Sequence, residues 1–395
     1  MDEILNMSIN EMAGVRFSCS CGRTHTLDIQ YLKMGKGAIW ELPDVLKDFK
    51  EQKLYMLSDN HTFVAAGEQV LSVLEKAGFR VKNVVLDSGN DILIPDEKAV
   101  GKMFMELEAE TGMIVAVGSG TLNDMAKYMS SRTKIPYTIV CTAPSMDGYA
   151  SDGAPLMNCG RKISYAATLP YAIVGDTDIM KEAPMHMIHA GYGDVIGKMT
   201  ALADWKLSQE HTGEYYCETI VKLVNTAVEK VVSHTKEIAE RDEEAVLYLI
   251  EALTLTGVAM GLIGVSRPAS GAEHMLSHYW EMAFVAQQRY PELHGIKVGI
   301  ATPMIAEIFD SMSDMLPQSV KDMAPAKEYV ENLLKEVGAP VSPAEIGIEK
   351  ELFYQSLLEG NTVRERYSIL DFAVEEGRME EIAKRITDRF YRGKA

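Results

Sequence analysis

Basic residues, cysteines and long apolar runs are what this chain has least of. Lys and Arg number 39 against 57 Asp and Glu, a net charge of -18. No basic run exceeds a few residues, which argues against nucleic acid as a partner, since a phosphate backbone needs a concentrated positive face. An anionic small substrate stays open, because one pocket can be positive in an acidic protein. The five cysteines are scattered except for Cys19 and Cys21, so no disulfide framework is expected. No apolar run reads as membrane-spanning, and the opening M-D-E-I-L-N-M has no basic leader region. The expectation is a cytoplasmic protein without membrane insertion. Internal repeats and low-complexity tracts are absent too.

The 395 residues are enough for two domains, each with its own core. Cys19, Cys21 and His25 in C-S-C-G-R-T-H could bind zinc. The spacing is not that of a standard finger and a fourth ligand is missing, so a surface hairpin with Gly22 in its turn is expected. From Lys53 onward, short apolar runs alternate with amphipathic stretches. Strands are predicted at 53–59, 81–86, 113–117 and 135–141, with helices at 63–77 and 99–111. A hairpin and a further strand are predicted over 162–173. That alternation predicts a parallel sheet. Beyond about residue 180 the β signals vanish, and helical periodicity runs over 187–209, 214–239, 243–263, 271–288 and 296–312, then in shorter stretches to 391. The predicted fold class is an α/β N-terminal nucleotide-binding domain with a parallel sheet, residues 1–180, plus an all-α C-terminal domain, residues 181–395.

Histidines organise the second half. His274 and His278 are four apart and share one face of a predicted helix. Pro291 breaks that helix, and His294 opens the next apolar run, so two helices can aim His274 and His294 at one point. An imidazole pair with a carboxylate suits Zn, Ni or Fe and leaves a coordination position open. Asp194 in A-G-Y-G-D-V-I-G-K-M-T is the candidate carboxylate, on a face cleared by Gly191, Gly193 and Gly197. A surface ion pair between Asp194 and Lys198 is the plainer alternative. In the first half, Gly118-Ser119-Gly120-Thr121 lies between a predicted strand and helix, where exposed amides favour a phosphate. A tight strand-to-helix turn would read the same way. Asp59 ends a strand and could take ribose hydroxyls or simply cap a helix. The loop 141–155, with Asp147 in its middle, is a candidate ligand wall or an ordinary polar loop.

The motifs V-G-S-G-T-L-N-D, T-A-P-S-M-D-G-Y-A-S, A-G-Y-G-D-V-I-G-K-M-T, S-R-P-A-S-G-A-E-H-M-L-S-H and L-H-G-I-K-V-G occur in order over roughly residues 35 to 310. Together they resemble the sn-glycerol-1-phosphate dehydrogenase family, especially its bacterial AraM-type branch. That family belongs to the iron-containing alcohol dehydrogenase and glycerol dehydrogenase superfamily, akin to dehydroquinate synthase. The resemblance implies metal ligands Asp194, His274 and His294, substrate contacts from Asp147, Asp194 and His278, and a cofactor site of Asp59, Gly118, Ser119, Gly120, Thr121, Leu122, Thr142, Ser145 and Ser151. It implies NAD(H) or NADP(H) and one Ni2+ or Zn2+ per subunit, in a homo-oligomer, a dimer or larger. The implied reaction reduces dihydroxyacetone phosphate, a small phosphorylated C3 substrate, to sn-glycerol 1-phosphate for phospholipid synthesis. Asp147, His278 and Lys198 are then the expected catalytic residues. His278 would relay a proton with a pKa near the ordinary histidine value, and Lys198 and Arg267 are candidates for the phosphate. A glycerol or polyol dehydrogenase, a dehydroquinate-synthase-like lyase and a non-catalytic metal-binding protein are the alternatives.

Overall fold

The computed structural model describes residues 3–90 and 92–391. The chain forms two compact units. The first comprises Met1–Ile188 and Arg241–Ile263, the second His189–Glu240 and Gly264–Ala395, so the units do not correspond to a single cut near residue 180.

The first unit opens with a short hairpin of β1 (Arg16–Ser18) and β2 (Thr24–Thr26). Then come β3 (Tyr31–Gly35), β4 (Lys53–Asp59), β5 (Arg80–Leu86), β6 (Thr111–Gly118) and β7 (Tyr137–Cys141). A second hairpin, β8 (Gly153–Asn158) and β9 (Arg161–Ala166), precedes β10 (Ala172–Asp176). Six strands pair in parallel in the order β3-β10-β7-β6-β4-β5. Strands β7 and β10 are buried at every position. Parallel strands covered on both faces need such continuous apolar runs. Val70 and Leu74 of the helix Glu68–Lys76 pack on Leu54, Met56, Val115 and Val117 of the sheet.

The strand order reverses between β4 and β6. The chain leaves β4 for β5 on one side and returns to β6 on the other. Ligands in such sheets sit beyond the carboxyl ends of the strands at that switch point. Asp59 and Gly118 end these two strands.

Several expectations need correction. The helix predicted to reach Thr111 ends at Met105, because Thr111 already pairs with Lys53 in the sheet. The hairpin predicted from Lys162 begins at Gly153, since Cys159 (φ 50°) and Gly160 (φ 71°) form its two-residue left-handed turn. Tyr31–Gly35 adds an edge strand. The helix Glu243–Ile263 is 21 residues long with a mean hydropathy of 1.9, so by length and composition it could cross a membrane, contrary to the sequence reading. Glu251 and the threonines masked that run in the sequence. The same window is 72% buried inside the protein. Within the first unit its Gly257 lies against the loop after β7, where an added Cβ would come within 2.7 Å of the Asp147 carbonyl oxygen.

The second unit is helical among its described residues. Its helices include Glu218–Val232, Ala272–Ala286, His294–Ser311, Lys327–Val337, Lys350–Glu359 and Met379–Tyr391, together with the helix Met185–Thr212 from His189 onward. Trp280, Phe284, Ile300, Met304, Ile308, Phe353 and Ile382 make its core.

Candidate active site

In the second unit, glycines determine how closely two helices approach. A Cβ on Gly295 would overlap the carbonyl oxygen of Ala190, and one on Gly193 the carbonyl oxygen of Gly295. A Cβ on Gly299 would come within 2.9 Å of the Gly193 Cα. The helix containing Asp194 therefore crosses the helix starting at His294 backbone against backbone, which only glycine permits. This crossing, with His274 in the first turn of the helix Ala272–Ala286, brings Asp194, His274 and His294 together. One ligand atom from each lies within 4.8 Å of the others.

The charges at this cluster suit a cation. Asp194 and Lys198 are both fully buried, with Nζ 2.6 Å from Oδ1, so the surface ion pair weighed from sequence is not what forms. Burial pushes the Asp194 carboxyl up, but the Lys198 charge and the His274 hydrogen bond outweigh it and hold it well below the usual carboxylate range. The imidazole of His274 presents Nε2 to Asp194 at 3.6 Å and donates from Nδ1 to Glu273 Oε1 at 2.7 Å. Glu273 is buried and also accepts from the Gly271 amide and the Thr200 hydroxyl, at 2.7 Å each. A carboxylate on the far nitrogen fixes the tautomer and the ring of a metal-ligating histidine. Burial opposes charge on His274, yet its contacts with Asp194 and Glu273 outweigh this and raise its pKa. Burial holds His294 well below the ordinary histidine value, in the neutral form a ligand requires. The donor set of one carboxylate and two imidazoles thus fits a divalent metal.

His278 stands one turn beyond His274, with its ring 5.5 Å from that of His294. Its Nε2 accepts from Arg364 Nη2 at 2.9 Å. Burial, with the Arg364 charge adding to it, lowers its pKa to about 4. A relay titrating near neutrality is therefore not what this environment makes of His278. Arg267 is also corrected as a phosphate group, because its guanidinium is buried against Glu214, Ser208 Oγ and the Tyr367 carbonyl. Arg364, far along the chain, is the cation beside His278. Neither Glu273 nor Arg364 stood out in the sequence. The E-H pair in S-G-A-E-H was the only signal for Glu273.

The first unit holds the other candidates. Ser119 precedes the helix Gly120–Thr133, and its hydroxyl lies 2.6 Å from that of Ser145. The Thr142 amide donates to the Gly118 carbonyl at 3.1 Å, joining the ends of β6 and β7. Leu122 is buried in the following helix, against Gly118. A Cβ on Gly120 would meet only Met146, at 3.6 Å, so the fold itself does not demand glycine there. The bare turn leaves room for a ligand to approach the backbone, as a pyrophosphate at a helix N-terminus needs. Thr121 lies in that first turn. Asp59 caps the short helix after β4, accepting from the Thr62 amide at 2.7 Å. Buried Lys127 donates to the carbonyls of Gly148 and Gly153 and to Ser151 Oγ. Lys127 thus holds the 141–155 loop that includes Asp147, and it engages the Ser151 hydroxyl expected at the cofactor. No sequence motif pointed to that role for Lys127.

The family model for iron-containing alcohol dehydrogenase matches residues 33–184. Glycerol-1-phosphate dehydrogenase, NAD(P)+, of Geobacillus stearothermophilus is 33% identical over 93% of this chain and 98% of its own. The protein of that name from Halalkalibacterium halodurans is also 33% identical over 93% and 98%. Glycerol dehydrogenase of Schizosaccharomyces pombe shares the fold, with a TM-score of 0.67 at 17% identity, covering 92% of each chain. With two such relatives at 33% identity over nearly the full length of both chains, the chain belongs to the NAD(P)+ glycerol-1-phosphate dehydrogenase family.

Proposed function

We propose that this chain reduces dihydroxyacetone phosphate to sn-glycerol 1-phosphate with NADH or NADPH. The single observation that carries the reading is the cluster of Asp194, His274 and His294, with Glu273 fixing the His274 tautomer. In this reading the first unit binds the nucleotide and the second holds the metal and the substrate. When bound, the divalent metal, Ni2+ or Zn2+, polarises the C2 carbonyl and the nicotinamide supplies the hydride.

The protein's residues do the rest. Asp194, His274 and His294 hold the metal, and Glu273 keeps the Nδ1 proton so that Nε2 of His274 is a lone pair. Lys198 balances Asp194. Neutral His278 orients the substrate. Arg364 takes the place that Arg267 had as the phosphate-binding cation, since a guanidinium matches a phosphate in two-pronged geometry. The amides after Gly118 receive the pyrophosphate, and Asp59, Thr121, Thr142 and Ser145 line the cofactor. A homo-oligomer of this chain in the cytoplasm, feeding glycerophospholipid synthesis, completes the reading.

The test is NADH oxidation with dihydroxyacetone phosphate against unphosphorylated dihydroxyacetone. The proposal requires strong preference for the phosphorylated ketone and the sn-1 product. Equal use of both ketones would favour a polyol dehydrogenase. Phosphate release without net NADH consumption would favour the lyase.

A further inference from the structure

We infer that the β1–β2 hairpin is a second, structural metal site, in which Cys19 Sγ, Cys21 Sγ and His25 Nε2 bind Zn2+. The three ligand atoms lie within 4.8 Å of one another. None of the three belongs to the proposed catalytic centre. Cys21 Sγ is 3.4 Å from His25 Nε2. Tetrahedral zinc with Zn–S of about 2.3 Å and Zn–N of about 2.0–2.1 Å places two such ligands about 3.6 Å apart, so the pair is already near a zinc edge.

The imidazole is oriented as a ligand. His25 is 1% exposed, although the two cysteines beside it are half-buried. Its Nδ1 donates to the Leu262 carbonyl at 2.8 Å, at the end of the helix Glu243–Ile263 in the same unit. That bond places the proton on Nδ1 and leaves the Nε2 lone pair directed at the cysteines, as for the histidines of structural and catalytic zinc sites. The turn is tight. The Gly22 amide donates to the Cys19 carbonyl at 3.1 Å with φ +84° at Gly22, and the Cys19 amide donates to the Arg23 carbonyl at 2.9 Å. His25 pairs with Phe17 across the hairpin, so Cys19, Cys21 and His25 all belong to one seven-residue span.

The hairpin also needs a staple. Its strands are three residues each, and an isolated two-stranded hairpin is at best marginally stable in water. No cysteine is in a disulfide among the described residues. Metal binding contributes folding free energy directly where a small element has little core. Two thiolates and an imidazole are soft donors that select zinc over hard cations, whereas the second unit's carboxylate and two imidazoles are harder. The two sites should therefore differ in affinity and in spectrum.

Cobalt is the probe, because thiolate ligation produces a thiolate-to-cobalt charge-transfer band that a carboxylate–imidazole site cannot. Full-length protein is stripped of metal under reducing conditions and titrated with Co2+. The inference requires one equivalent per chain that gives that band, whether or not a second equivalent binds without it. The band should persist in His274→Ala and vanish, with one equivalent of metal, in Cys19→Ser/Cys21→Ser. It should also survive Cys141→Ser and Cys159→Ser made singly. The wild-type titration needs no variant to fold. A single equivalent without the charge-transfer band would overturn the inference, as would a band that persists in the double variant. So would thiol counting on unreduced, denatured protein that finds Cys19 and Cys21 oxidised to a disulfide. Loss of catalytic activity plays no part in these readouts, so the proposed reaction can fail while this site stands.

Discussion

The two units build their sites from different materials. In the first, the candidate nucleotide site is mostly backbone and hydroxyl: a bare turn at Gly118–Gly120, the Ser119–Ser145 pair, and a loop held by Lys127 through carbonyls. In the second, the site consists of ionisable side chains taken out of water, Asp194, Lys198, Glu273 and His274, each charge held by another. If amides do the binding in the first, as proposed, that arrangement should tolerate small changes in side chains. The second does not, since removing one partner leaves a buried charge uncompensated, a cost of about 3–5 kcal/mol.

The largest expected effect that separates the two is His274→Ala or His294→Ala. Either should abolish turnover together with the one equivalent of metal held by that site, while nucleotide affinity, read by NADH fluorescence, stays near wild type. Metal retained at full stoichiometry in both variants would dissolve the contrast.

Next is Gly295→Ala. The new methyl overlaps the Ala190 carbonyl, so the helices must part. Overpacking of this kind costs about 1–3 kcal/mol, and more where backbone blocks relaxation. Thermal unfolding should shift down and metal affinity fall. By contrast, Gly120→Ala in the first unit meets only Met146 and should leave stability unchanged. Gly120→Val should weaken nicotinamide nucleotide binding with metal content intact. Unchanged NADH affinity in Gly120→Val would place the phosphate turn elsewhere.

A smaller effect is expected for Glu273→Gln. The metal ligands remain, but the carboxylate that orients His274 is lost. Removing such a partner costs about 10–100-fold in metal affinity. Competition with a chelator reads it, and saturating metal should restore most of the turnover. If affinity is unchanged, Glu273 serves packing alone.

Much of this was legible in the sequence, for a physical reason. Buried parallel strands must be continuous apolar runs, so Lys53–Asp59 and Arg80–Leu86 were readable almost to the residue. Amphipathic helices such as Lys327–Val337 announce themselves by period. The grouping of Asp194, His274 and His294, which the structure brings together, could be proposed from helical spacing together with a family resemblance. What was illegible depends on distance along the chain or on direction. Arg364 reaches His278 across 86 residues. Glu273 precedes His274, and helical spacing alone puts neighbouring side chains on different faces, so their hydrogen bond could not be foreseen. The perturbed pKa of His278 comes from burial, which no local motif encodes. Helix Glu243–Ile263 was found with its bounds intact, yet it belongs to the first unit, because only tertiary packing decides which core a helix joins.

The central claim is that the second unit's Asp194, His274 and His294 hold the metal that reduction of a phosphorylated ketone requires. The most direct measurement is NADH oxidation with dihydroxyacetone phosphate on enzyme stripped by a chelator, then titrated with Ni2+ or Zn2+. The account predicts no turnover in the stripped enzyme and recovery on metal addition in the wild type but not in His294→Ala. Full activity in the metal-free protein would contradict it.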